Sequence, residues 1–430
     1  MGAGTRHRTV ASAVIAIAVS GCGSRTGLPS EPLPDLPATE SGPPSTPSHG
    51  DASMDAAAQT TTDAASDATG IGVCLEGSLR CSNAQPQMCG TGTWQNLGAP
   101  CQNGCVNGTC DKPPSCRANG PGLSNCGPGS GDCCASLQVP GGTFFRSYDG
   151  VNCPGGPGSG LGEAGFAGCY TSKGFPASIS TFRLDRYEVT VGRFRQFVRA
   201  VTEGWLPAAG SGKHAHLNGG RGLANAGLPG HYEDGWDPSW SGGLARTEAE
   251  WDSNLTTCSK AWTLSPGPNE NLPIDCETWY EAFAFCIWDG GFLPSEAEWN
   301  YAAAGGNEQR VFPWSSPPTA TIWDCSYANG GGDTCGGQAN AVGSESPKGD
   351  GKWHQSDLSG NSWEWSLDEL STAYVTPCSD CANLRSAPSR VLRGGDFNNF
   401  AVPRLLTSNR SGDLPTNRSE GTVGRCARAP

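Results

Sequence analysis

Long apolar runs are missing from this sequence. The longest, residues 10–19, has about ten residues, half of the ~20 that a helix needs to cross a bilayer. Basic residues are also sparse: 28 Lys and Arg stand against 41 Asp and Glu, giving a net charge of −13 with no basic cluster. Nucleic acid is thereby excluded as a partner, because neutralising phosphates requires grouped Lys and Arg. Histidine is scarce too. With six in the whole chain, a His-rich metal centre has few places to form, and His214-x-His216 is the one close pair.

Cysteine, by contrast, is plentiful. The short apolar run follows Arg6, His7 and Arg8 and leads into Val19-Ser20-Gly21-Cys22, the arrangement of an export signal ending in a lipobox. Small residues there admit a signal peptidase, and Cys22 would carry the lipid as the new N-terminus of residues 23 onward. Gly23 follows, with no Asp to suggest inner-membrane retention, so the expected location is the bacterial outer membrane. Setting Cys22 aside leaves 20 of the 21 cysteines, an even number suited to pairing in an oxidising compartment.

Composition divides the remainder. Residues 23–70 are rich in Pro, Ser, Thr, Ala and Asp and nearly devoid of aromatics, so they cannot bury enough apolar surface to fold and read as a tether. Residues 71–112 form a small module with Cys74, Cys81, Cys89, Cys101, Cys105 and Cys110 around Trp94. Disulfides would hold so small a core together; zinc is the sharper alternative, although no His lies in the segment. A second group, Cys116, Cys126, Cys133 and Cys134, opens a large domain over residues 113–430, whose first strand is expected in VPGGTFFRSYDG.

Within that domain, residues 182–201 read as a short extended stretch, then a helix capped by Thr190 with Phe194, Phe197, Val198 and Val201 on one face. Residues 204–273 are Gly- and Trp-rich without clear periodicity and read as long surface loops. Between residues 278 and 306 the signals are sharp. Thr278 with Glu281, and Ser295 with Glu298, each have capping-box spacing, while Gly290-Gly291 and Gly305-Gly306 supply helix stops.

These two helices, with RLDRYEVTVGRFRQFV (183–198), LSGNSWEW (358–365) and VLRGGDF (391–397), resemble in order the formylglycine-generating enzyme or sulfatase-modifying-factor family. The resemblance covers roughly the last two thirds of the chain. It implies an α+β, C-type-lectin-like fold with low regular secondary structure, stapled by disulfides. It also implies that Cys286 and Cys426 pair, matching the family's AYC and GFRC cysteines, although the family's Phe in GFRC is absent here.

Formylglycine generation in this family uses two cysteines just after the Arg-Gly-Gly motif, at a spacing of five, which together can hold a soft Cu(I) ion. Here those positions are Asn399 and Arg404. An amide and a guanidinium cannot replace two thiolates, so no catalytic residue is assigned and no copper is expected. Calcium is the better metal candidate. Asp357, Gly360, Ser362 and Glu364 form an oxygen-rich turn suited to a hard cation, and the family binds structural calcium there. Asn329 matches a ligand of the family's other calcium site, with Asp333 as a possible partner. His214 and His216 would share one face of a strand, yet no third ligand is identifiable and a solvated loop pair is the plainer reading. The residues Trp279, Trp288, Trp299, Trp314, Trp363 and Trp365 either line a groove or fill the core, and packing suits their positions better.

The functional expectation is an exported lipoprotein, anchored to the membrane through Cys22, whose domain binds a peptide, glycan or protein without oxidising it. The alternative is a metal-dependent oxidase or oxygenase of the same family acting on an exported substrate.

Overall fold

Short strands and short, carefully capped helices make up this fold. The computed structural model describes residues 74–82, 85–98, 101, 105–149, 173–371, 374–385, 387–398 and 402–430. The leader, Cys22, the tether and Asn399 lie outside the described residues.

Four α-helices are present among them: α1 Val191–Thr202, α2 Glu248–Thr256, α3 Trp279–Trp288 and α4 Glu296–Ala303. Thr190 caps α1 by accepting from the Arg193 amide, and Phe194, Phe197, Val198 and Val201 are buried. Both capping boxes form, Thr278 with Glu281 on α3 and Ser295 with Glu298 on α4. The corner after α3 turns at Gly290 with φ +79°, a left-handed conformation that suits glycine. Helix α2 corrects the reading of residues 204–273 as loop. Only Trp251 and Leu255 are buried in it, so its apolar periodicity is faint, although Thr247 and Glu250 form a capping box.

The largest sheet has four strands in the order Ser411–Asp413, Arg390–Arg393, Trp363–Glu369, Thr422–Val423. Glu364 pairs with Arg393 and Trp365 with Leu392, and a register shift follows before Glu369 meets Arg390. VPGGTFFRSYDG supplies parts of two strands, Ser136–Val139 and Gly142–Phe145, rather than one. They enter two separate three-stranded sheets.

Aromatic side chains dominate the core. Phe194, Phe197 and Phe285 pack with Trp251 between α1, α2 and α3, while Trp299 centres a second cluster. Trp279, Trp299 and Trp365 are fully buried and Trp363 nearly so, each of the first three donating its indole N–H inside the fold. Trp288 and Trp314 are only partly buried.

All eighteen described cysteines are in disulfides. Cys74–Cys89, Cys81–Cys105 and Cys101–Cys110 close within the first cysteine-rich segment, which leaves no thiolate there for zinc. Cys116–Cys134 and Cys126–Cys133 tie the entry to the large domain. Cys286 on α3 is joined to Cys426 with Cα atoms 5.3 Å apart. Cys258–Cys276, Cys325–Cys335 and Cys378–Cys381 staple loops.

Candidate functional site

The Arg-Gly-Gly strand is fixed by its arginine. Arg393 is fully buried and donates to Glu296 at the start of α4, to the carbonyls of Thr407 and Asn409, and to Ser147 and Tyr374. Arg410 grips the same carboxylate, with Nε and Nη2 each 2.6 Å from a Glu296 oxygen. Burial would raise the Glu296 carboxyl, but Arg410 and Arg393 draw it down to about 2. The motif's guanidinium is therefore directed into the fold.

Beyond it the chain turns through Gly394 and Gly395, with φ +98° and +80°. A Cβ on Gly395 would lie 2.9 Å from the Arg404 carbonyl, so only glycine lets the turn Val402–Leu405 rest against the motif. Arg404 is thereby brought close to Asp396. Burial pushes the Asp396 carboxyl up to about 7, against the pull of the Asn398 amide and of Arg404. A carboxyl and a guanidinium thus sit near each other beside the Arg-Gly-Gly turn. Hard oxygen and cationic nitrogen do not bind Cu(I).

At the expected calcium turn, Asp357, Gly360 and Asn361 all have positive φ, which curls the backbone tightly. The donors fit a hard cation in part. Ser362 Oγ, Asn329 Oδ1 and Glu188 Oε1 are buried without a hydrogen-bond partner, and Asn361 links the neighbourhood by donating to Glu188 and accepting from Asn329. Asp357 accepts from the Gly343 amide at 2.6 Å through one oxygen. Glu364 does not fit. Its two oxygens take a fork from Arg425, at 2.8 and 2.7 Å, and one also accepts from Trp299 at 2.7 Å. Glu188 and Arg425 were not singled out from the sequence; Glu188 sits inside RLDRYEVT, where its motif offered the signal. Asp333, at the start of a short turn, is exposed and accepts nothing from Asn329.

The histidine pair is not solvated. His214 is fully buried between Glu233, 3.0 Å from Nδ1, and Glu298, 3.0 Å from Nε2. Burial pulls its pKa down, but Glu298 and Glu233 outweigh that and raise it to about 10. His216 faces Phe292 with both ring nitrogens buried and unpartnered. Since both nitrogens of His214 serve carboxylates, the pair does not present two free imidazoles to one metal.

Among described residues, one group of three classical metal-binding side chains converges, Cys116, Asp132 and Cys134, and its two cysteines are bonded to each other.

Comparison with known proteins agrees with these motifs. The sulfatase-modifying factor enzyme 1-like domain matches residues 133–430. A formylglycine-generating enzyme from Thermomonospora curvata is 28% identical over 280 residues, covering 59% of this chain and 83% of that protein. The inactive C-alpha-formylglycine-generating enzyme 2 of Bos taurus is 28% identical over 180 residues, 39% of this chain and 55% of its own length. Hercynine oxygenase from Mycolicibacterium smegmatis is 32% identical over 161 residues, 34% of this chain and 35% of that one. With the match spanning most of the chain and the motif geometry in place, this protein belongs to the sulfatase-modifying factor enzyme 1-like family.

Proposed function

We propose that this protein is a non-oxidase member of its family that uses a C-type-lectin-like scaffold to bind a peptide, glycan or protein ligand. One observation carries the reading: Asn399 and Arg404 stand at the positions matched to the copper thiolates. The disulfides support it, because every described cysteine, Cys378 and Cys381 included, lacks a free thiolate. A fold kept intact without its chemistry suits a binding role, since function resides in the site rather than in the scaffold. The reading places the protein at the bacterial cell envelope as a lipoprotein, supported by the short apolar run and lipobox ending at Cys22. It also includes a structural calcium ion held by Asp357, Ser362 and the Gly360 carbonyl, supported by the orphaned oxygens around Asn361. Glu364 is left to Arg425.

The direct experiment is to incubate the purified protein with copper, oxygen, reductant and a Cys-x-Pro-x-Arg peptide. No aldehyde above a metal-only control is expected by mass spectrometry. Formation of formylglycine would sink the reading.

A further inference from the structure

Away from the Arg-Gly-Gly turn, a partly open cavity of about 170 Å³ lies between the start of α3, the strand Trp363–Glu369, the start of the strand Arg390–Arg393 and the segment around Tyr232. At ~30 Å³ per water it displaces about half a dozen waters, the space of one small ring rather than an extended chain. Its walls are aromatic. Trp240 and Trp279 meet edge to face at 5.5 Å, and Tyr232 flanks them.

The polar groups are arranged for a neutral guest. Arg390 stacks on Trp279 with its Cζ 4.0 Å from the ring centre, and its Nη1 donates to the Leu367 carbonyl at 2.9 Å. Its Nη2 lies 3.7 Å from Glu369 Oε1, so these two charges offset each other. Glu233 shares the charge of His214 with Glu298. Asp234, exposed at the mouth, makes no hydrogen bond or ion pair among the described residues. An anion would meet Asp234 and Glu369, while Arg390, already stacked on Trp279, takes the indole face that an organic cation would use. A sugar hydroxyl both donates and accepts, so adjacent hydroxyls can satisfy a carboxylate and a guanidinium together. The apolar C–H face of the same ring suits the partly exposed indole of Trp240.

We infer that this cavity binds a single neutral sugar unit, a hexose or N-acetylhexosamine at the end of a glycan. The inference rests on the binding reading above and narrows it. Its failure is distinguishable from that of the reading, because none of the cavity's residues belongs to the Arg-Gly-Gly turn and the formylglycine assay does not report on it.

The experiment is saturation-transfer NMR with isothermal titration, using methyl glycosides of common hexoses and N-acetylhexosamines, with choline and benzoate as charged probes. At least one glycoside should bind with a millimolar Kd, its ring protons receiving saturation. Trp240→Ala should weaken that glycoside by ~10-fold or more, a factor within reach of one lost aromatic contact. Asp234→Ala, at an exposed side chain that holds nothing in the fold, gives a second reading should the tryptophan variant fail to fold, and should also weaken binding severalfold. Saturable binding of choline or benzoate in place of every glycoside, no binding of any probe, or glycoside affinity unchanged in the folded variants would overturn the inference.

Discussion

Arg425 holds Glu364 through two hydrogen bonds, Nε to Oε2 at 2.8 Å and Nη2 to Oε1 at 2.7 Å, with both side chains wholly buried. The same guanidinium donates to the carbonyls of Asp185, Arg186 and Ser356, so the C-terminal segment is tied to the end of the strand that precedes α1 and to the residue just before Asp357. Removing one partner strands a charge in the core. Arg425→Met is therefore expected to lower stability by about 3 to 5 kcal/mol. Urea denaturation followed by tryptophan fluorescence measures it; a loss within experimental error would mean that solvent reaches the site.

The Cys286–Cys426 bond closes the longest loop among the described disulfides, with a sequence separation of 140. In the chain-entropy account a closure of that length stabilises by about 5 kcal/mol, less any native strain. Replacing both cysteines by Ser should cost most of that amount without creating a free thiol. Peptide mapping under non-reducing conditions should recover Cys286 and Cys426 in one cross-linked fragment, and recovery of either one alkylated would contradict the pairing.

Local chemistry is what the sequence made readable. Capping boxes at Thr278 and Ser295 involve partners three residues apart, and both form with the expected geometry. The helix α2 escaped notice because burial of Trp251 and Leu255 alone leaves almost no periodic stripe, even though Thr247-x-x-Glu250 carried the same cap signal. The ionic core was hidden for a different reason. Glu296 meets Arg393 and Arg410 across 97 and 114 residues, and nothing in the spacing of single charges announces such a meeting. Motif resemblance singled out Asp357, Gly360, Ser362 and Glu364 together, yet it could not show that Glu364 is committed to Arg425.

Calcium is expected to stabilise the turn at Asp357, Gly360 and Ser362. An ion that binds only the folded state adds ~3 kcal/mol at a hundredfold excess over its Kd. Excess chelator should therefore lower the melting temperature, and added calcium should restore it. Asp357→Ala should abolish that response, whereas Glu364→Gln should lower stability while keeping it. A melting temperature indifferent to both chelator and calcium would remove the metal from this account.

His214 makes stability depend on pH in a definite direction. Its pKa is raised from 6.5 to about 10, because Glu298 and Glu233 outweigh the opposing effect of burial. The folded state thus holds a proton that the unfolded chain releases near 6.5. The stabilisation is complete below about 6.5 and is lost progressively as pH rises through about 10, on the order of a few kcal/mol over that window. His216, the other titratable ring beside it, is held below its usual pKa first by burial and then by charged His214, so it stays neutral through the same range. Glu298 also closes the capping box of α4, accepting from the Ser295 amide at 2.8 Å, so deprotonation of His214 loosens the packing of that helix start. Denaturation midpoints should fall between pH 7 and pH 10 in the parent protein, with the slope strongly reduced in His214→Gln. Equal slopes in the two proteins would show that His214 is neutral in the fold and that one of its carboxylate neighbours carries the proton.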